Sequence, residues 1–316
     1  MQHTRRDFTR LALAAIPAAN AFAGQKPHSV YGGVQIGIIA PYSFKGLPND
    51  SDSTLKNILQ LGLSATELQS SMVESYAGMP AVQLARGGAR GPATPAQTEA
   101  RKTVHDWRLS VPMDKFKALR KMYNDAGVAI YAFKIVAAQP AFTAEEYDYA
   151  FNVVEALGAS QLTMEIPLKS GAPDGSVTKL VGDIAARRKI MVGYHAHAQA
   201  KPPATMWDEA LTQSKFNGIN FDMGHYVANT NLSAVDFIRK HHGRITSMHL
   251  KDRKFHAGPG TPFGEGDAHV ADVLRLMKKE RYTFPASIEF EYPLPAGSDT
   301  MTEISKCVKF CQEALA

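Results

Sequence analysis

The chain has 316 residues, 45% of them hydrophobic and 21% charged, a balance that excludes disorder and fits a folded globular protein. Its formal charge of +5 falls to about +3 once residues 1–23 are set aside, because that stretch holds three arginines and one aspartate. No Lys/Arg run is long enough for a nucleic-acid stripe, so the surface reads as mildly basic with no nucleic-acid partner.

Residues 1–23 read as an address rather than as fold. Thr4-Arg5-Arg6-Asp7-Phe8 precedes an apolar stretch from Leu11 to Ile16, and Ala21-Phe22-Ala23 supplies a small-x-small cleavage pattern. The arginine pair with Phe8 is similar to a twin-arginine export signal. That similarity implies the matching export machinery as a partner and the periplasm as the location. The apolar stretch is too short to span a bilayer, and nothing downstream reaches about 18 apolar residues, so no stable membrane anchor is expected.

From residue 24 onward, short apolar runs alternate with longer amphipathic ones. Strands are expected over Gly33–Ala40, Leu63–Leu68, Val128–Ile135, Ser160–Ile166, Ile190–His195, Gly218–Phe221, Arg244–His249 and Phe284–Glu289. Helices are expected over Ser53–Leu61, Met113–Ala126, Ala144–Leu157, Val177–Arg188, Met206–Ser214, Ser233–His241, Val270–Lys279 and Met301–Leu315. Gly127 and Gly158 close two of them. Eight such units of roughly 30 residues predict a single (β/α)8 TIM barrel over residues 24–316, with a parallel sheet buried on both faces.

The Gly/Pro/Ala-rich stretch from Ser70 to Val111 breaks the rhythm. It is expected to be a long loop over the C-terminal mouth of the barrel, carrying Trp107 to the substrate and Arg108 beside it. Cys307 and Cys311 lie four apart on one helical face, where their Cβ vectors do not converge, so buried free thiols are expected.

Four ionisable residues end expected strands: Glu165 in QLTME, Asp222 in INFD, His249 in ITSMH and Glu289 in ASIE. Side chains at those ends converge at the mouth of a barrel. One carboxylate at a strand end is as readily a helix cap or an ion-pair member, but four such residues on four strands are hard to produce by accident. Carboxylates crowded into one cavity repel, and a divalent cation removes that penalty. Oxygen-rich ligation with one imidazole suits Mn2+ first, with Mg2+, Co2+ and Zn2+ also compatible. Such an ion can bridge a carbonyl and its neighbouring hydroxyl while a carboxylate removes the α proton.

Further candidates surround these four. His225 follows Asp222 by three and can touch a substrate hydroxyl. His195 and His197 alternate along one strand, as substrate contacts or as supports. Asp252 and Arg253 can clamp hydroxyls or carbonyl oxygens, while Lys134 and Glu67, near the ends of other strands, are open in role. Glu291 shares a face with Glu289 and rivals it as the last ligand. The Gly-rich run Pro259–His269 lacks the Lys-Ser/Thr ending of a phosphate loop and reads as a tight loop before a helix.

The set VQIGIIAPYSF, ATELQ, TMEIP, YHAHAQ, FDMGHY, SMHLKDR, GPGTPFGEGD and ASIEFEY resembles the sugar phosphate isomerase/epimerase family, part of the xylose-isomerase-like barrel superfamily. Ketose 3-epimerases, inosose isomerases and dehydratases, and endonuclease IV belong to the same superfamily. The resemblance covers nearly the whole chain after the leader. It implies Glu165, Asp222, His249 and Glu289 as metal ligands, Glu165 and Glu289 also as an acid/base pair, and His225 as a substrate contact. The extra ligands of endonuclease IV find no counterpart here, which argues against DNA repair.

The expected function is a metal-dependent sugar isomerase or epimerase acting through an enediolate on a non-phosphorylated or 3-keto sugar. The alternatives are a lyase or hydratase acting on 3-keto-glycosides and, less favoured, a non-catalytic sugar-binding barrel. The oligomeric state stays open, a homo-oligomer included.

Overall fold

The computed structural model describes residues 26–82, 94–136, 142–197 and 205–316; the leader lies outside them. A hairpin opens the domain, β1 (Val30–Tyr31) pairing antiparallel with β2 (Val34–Ala40). Its two-residue turn needs positive φ at both positions, which Gly32 and Gly33 supply at 54° and 85°. Then come α1 (Ser51–Gln60), β3 (Ala65–Gln69), α2 (Ser70–Ala77), α3 (Pro95–Ser110), α4 (Asp114–Asp125), β4 (Ala129–Ile135), α5 (Ala144–Leu157) and β5 (Gln161–Glu165). A small ladder of β6 (Leu168–Lys169) and β7 (Ala172–Pro173) leads to α6 (Gly175–Arg188), β8 (Met191–His195), α7 (Asp208–Gln213) and β9 (Asn217–Asp222). The last third runs α8 (Met223–Thr230), α9 (Ala234–His241), β10 (Ile245–Leu250), β11 (Asp252–Arg253), β12 (Gly260–Thr261), α10 (Val270–Glu280), β13 (Ala286–Ile288) and α11 (Thr300–Leu315).

Eight strands pair in parallel in the order β2, β3, β4, β5, β8, β9, β10 and β13, and β13 returns to β2. The sheet is closed, so the fold is the (β/α)8 barrel that the alternation predicts. The strands that read as apolar runs are buried on both faces, as in VQIGIIA of β2. The helices turn one stripe inward. In α10 that stripe is Val270, Val273, Leu274 and Met277, with Lys278 and Lys279 in the last turn where cations suit the helix dipole. Each such side chain taken from water contributes about 1.5–3 kcal/mol.

The stretch 70–111 departs from the expected loop: α2 and α3 lie within it, in its described parts, 70–82 and 94–111. Thr94 and Gln97 form a reciprocal capping box, and Pro95 takes the first helical position, where its missing N–H costs nothing. The helix hides from hydrophobic periodicity because its inward face buries one apolar side chain, Val104, and one charged one, Arg108. The Arg108 guanidinium sits between Glu74 of α2 and Glu146 of α5, at 2.7 Å from Glu74 Oε1 and 3.1 Å from Glu146 Oε1. A second addition is α8, which comes directly after β9.

Cys307 and Cys311 are buried free thiols on α11. Inside the barrel a polar chain replaces the usual aliphatic filling. Gln161 and Asn220 each donate to Ser247 Oγ at 2.7 Å, and Asn220 also donates to Glu67 Oε2 at 3.2 Å. This chain forms a hydrogen-bonded floor beneath the mouth.

Candidate metal centre and active site

Above that floor, His195 of β8, Asp222 of β9, His249 of β10 and Glu289, just past β13, each aim one donor atom at a common space. All four atoms lie within 4.8 Å of one another. Parallel register makes this possible: His249 pairs with Asp222 across β9 and β10. The four atoms are His195 Nε2, Asp222 Oδ2, His249 Nδ1 and Glu289 Oε2. All are buried, and among the described residues none makes a hydrogen bond of acceptable geometry. Yet they crowd together: His249 Nδ1 is 2.6 Å from Glu289 Oε2, and His195 Nε2 is 3.5 Å from Asp222 Oδ2. Buried polar atoms are ordinarily paired, so four orphans facing one another fit a cation between them. Two imidazoles and two carboxylates are a donor set that divalent transition metals accept.

The remaining atoms of these residues are anchored. Asp222 Oδ1 accepts the His225 amide at 2.7 Å and so caps α8, leaving Oδ2 for the cavity. His249 Nε2 faces Glu67 Oε1 at 3.3 Å, and His195 Nδ1 stands 3.0 Å from Glu165 Oε1. Each ring thus has one nitrogen turned to a carboxylate and the other to the cavity, which orients it and raises its basicity.

Glu165 is more open to the mouth than the quartet carboxylates, its side chain 24% exposed against 3% for Glu289 and none for Asp222. Burial pushes its carboxyl up, but His195 and Lys134 outweigh that and hold it well below the usual range. Lys134 Nζ lies 3.2 Å from Oε1, and His197 Nδ1 2.8 Å from Oε2. Burial disfavours charge on His249, yet Glu67 and Glu289 carry it to about 9. Burial dominates at His225, which falls to about 3 and stays neutral.

The sequence-derived candidates therefore divide. Asp222, His249 and Glu289 meet, whereas Glu165 stands one place outward, on the far nitrogen of His195, and His195 takes the fourth position. Glu67 supports His249 from below. Lys134 and His197 gather on Glu165, and the His225 ring stands beside that of His197, their centroids 4.9 Å apart. Arg253 reaches His225 Nδ1 at 2.9 Å, with Nε and Nη2 held by the Gly258 carbonyl.

Two candidates lie elsewhere. Asp252 spends its carboxylate on the amides of Gly264, Gly266 and Ala268 at 2.8–3.1 Å, fastening the Gly-rich loop rather than a substrate. A Cβ at Gly266 would fall 2.1 Å from Asp252 Oδ1, so the loop needs glycine there. Trp107 packs between α3 and α5, its ring centroid 6.3 Å from that of Tyr149, in the helical layer and not at the mouth. Arg108 belongs to that layer too.

The residue missed from sequence is Lys251. It directly follows β10, is 1% exposed, and places Nζ 2.9 Å from Asp222 Oδ2, 2.9 Å from Glu289 Oε1 and 2.6 Å from Glu291 Oε2. Glu291 also accepts from the Tyr42 hydroxyl at 2.5 Å, so it faces Lys251 and Tyr42 rather than the orphaned quartet. The signal was the strand-end position itself, read for His249 but not for the lysine two residues on.

The family model described as xylose isomerase-like TIM barrel matches residues 77–309. No curated protein matches the sequence. Among solved structures, a sugar phosphate isomerase/epimerase from Parabacteroides distasonis is similar with a TM-score of 0.59 at 14% identity, covering 95% of this chain and 100% of its own. The IOLI protein, described with a bound zinc atom, has a TM-score of 0.61 at 11% identity, covering 89% and 98%. A probable 3-DHS dehydratase of petrobactin synthesis from Bacillus anthracis has a TM-score of 0.59 at 11% identity, covering 88% and 99%. At these identities the likeness concerns the fold.

Proposed function

The chain belongs to the xylose isomerase-like TIM barrel family, and on that premise we propose that it is a divalent-metal-dependent isomerase or epimerase of a non-phosphorylated or 3-keto sugar. The observation that carries this reading is the quartet of buried donor atoms on His195, Asp222, His249 and Glu289 that face one another without hydrogen bonds, Asp222 Oδ2 alone also meeting the Lys251 ammonium at 2.9 Å. Those four residues hold the ion, with Mn2+ the first choice and Mg2+, Co2+ or Zn2+ also suited. When bound, the cation supplies charge stabilisation for substrate oxygens that become anionic as the α proton leaves.

The chain's own groups do the rest. Glu165, ionised and open to the mouth, takes the proton from the carbon beside the carbonyl onto a carboxylate oxygen. Lys134 and His197 fix the position of that carboxylate. Glu289, across the cluster, is the second acid/base group; despite its burial, Lys251 and His249 hold it ionised, so the proton it returns to the other face is one it first takes up from solvent. His225 and Arg253 line the wall where sugar hydroxyls sit. The leader adds a proposal of its own: export to the periplasm by the twin-arginine route, where phosphorylated sugars are scarce and free or oxidised ones are the sensible substrates.

A second reading is elimination, because the same carbanion can expel a β-oxygen. A fold neighbour described as a dehydratase favours keeping it. Incubating the enzyme with keto-sugars and Mn2+ in D2O separates the two. Deuterium entering the substrate with no group lost supports epimerisation, and a new enone absorbance supports a lyase. Protein isolated without any stoichiometric divalent ion, and unable to take one up, would overturn the metal centre. For export, the check is whether Arg5→Lys with Arg6→Lys strands the protein in the cytoplasm.

A further inference from the structure

Resting on the metal reading above, we propose that the ammonium group of Lys251 occupies a second cation position and thereby keeps the centre mononuclear. The mouth contains two adjacent donor groups that share residues. The first is the quartet of His195, Asp222, His249 and Glu289; the second is His225, Glu289 and Glu291. Glu289 serves both, with Oε2 in the quartet and Oε1 2.9 Å from Lys251 Nζ. Asp222 Oδ2, a quartet atom, is also 2.9 Å from that Nζ. Carboxylates shared in this way are how two-metal sites hold ions about 3.5–4 Å apart. Here the second position holds Nζ, with Glu291 Oε2 at 2.6 Å and His225 Nε2 at 2.9 Å completing its surroundings.

The surrounding chain is built to admit this side chain. Gly224 opens α8 beside the lysine stem, and a Cβ there would lie 2.7 Å from Lys251 Cγ and 2.8 Å from its carbonyl oxygen. Lys251 is among the largest fully buried side chains of the molecule. A fixed positive charge a few ångströms from the quartet repels a second divalent ion, and one tethered by the backbone cannot be displaced by mass action. A lysine in that place therefore sets the metal count by covalent means.

The test is metal stoichiometry, read by elemental analysis and by the electron paramagnetic resonance of protein titrated with Mn2+. Wild type is expected to saturate at one ion with an uncoupled signal. Lys251→Met, which keeps the stem and removes the charge, is expected to take a second ion with a spin-coupled signal. A spin-coupled pair in wild type overturns the proposal without recourse to any variant, so a variant that fails to fold does not shield it. One ion in both proteins, at equal affinity, overturns it while leaving the metal reading intact. No ion in either sinks both.

Discussion

The molecule buries two groups of charges, and they are resolved differently. Under α3, Arg101 and Arg108 meet Glu74 and Glu146, two cations against two anions, with Tyr149 and the Thr143 amide taking further oxygens. At the mouth, five carboxylates (Glu67, Glu165, Asp222, Glu289 and Glu291) face the ammonium groups of Lys134 and Lys251, and four donor atoms remain orphaned. The first group is balanced and acts as a fastener for α3. The second carries surplus negative charge and donor atoms without hydrogen bonds, an arrangement that fits an added cation. What sets the second group apart is that unsatisfied atoms from four residues face one another within 4.8 Å.

The sharpest way to break this contrast is at Glu165. Glu165→Gln is expected to lower kcat by about 10²–10⁴-fold with one ion still bound at saturation, its affinity weakened by about 10–100-fold because Glu165 supports His195. Parallel loss of metal would move it into the ligand set. Next in size, Arg108→Met leaves Glu74 and Glu146 short of a partner and is expected to destabilise the fold by about 3–5 kcal/mol in denaturant titration. Turnover per folded molecule should hold; a fall would tie α3 to the active site after all. Glu67→Gln loosens His249 and is expected to weaken metal affinity by about 10–100-fold, measured by competition with a chelator.

The smallest effect concerns pH. Burial pushes the Glu146 carboxyl up, but Arg101, the Thr143 amide and Arg108 outweigh it and bring it from 4.5 to about 2. A folded value below the unfolded one gives stability that is present above 4.5 and lost as pH falls towards 2. The stability gap between wild type and Glu146→Gln should therefore shrink between about pH 5 and pH 2. A gap that stays constant with pH would show the residue acting by shape alone.

How far the sequence could be read turns on the same contrast. All eight barrel strands were legible because they are short runs of mostly apolar or small residues spaced between amphipathic helices, and strand-end side chains of a closed barrel have one place to converge. Helix α3 was not, because Arg108 fills the position where periodicity looks for an aliphatic residue. Helix α8 was hidden because Asp222 both ends β9 and caps the helix after it, one oxygen for each task. The exchange of His195 for Glu165 in the quartet depends on side-chain length and rotamer, which a one-dimensional pattern does not contain. Lys251 escaped because a lysine is ordinarily read as surface, and its burial depends on three acids brought in from other strands.

One consequence of the closed sheet concerns the order of assembly. His249 and Glu67 are 182 positions apart, and β13, which leads into Glu289, is the strand that seals β10 to β2. A nascent chain that lacks its final segment has neither the sealed cylinder nor the fourth donor. On the proposed function, an ion held there would be captured last and by the native state alone, and would act as a latch on closure. A ligand that favours only the folded form adds about 4 kcal/mol at a thousandfold excess over its dissociation constant. Reopening of the cylinder, and with it exposure to proteases, should be governed by metal supply as much as by the core.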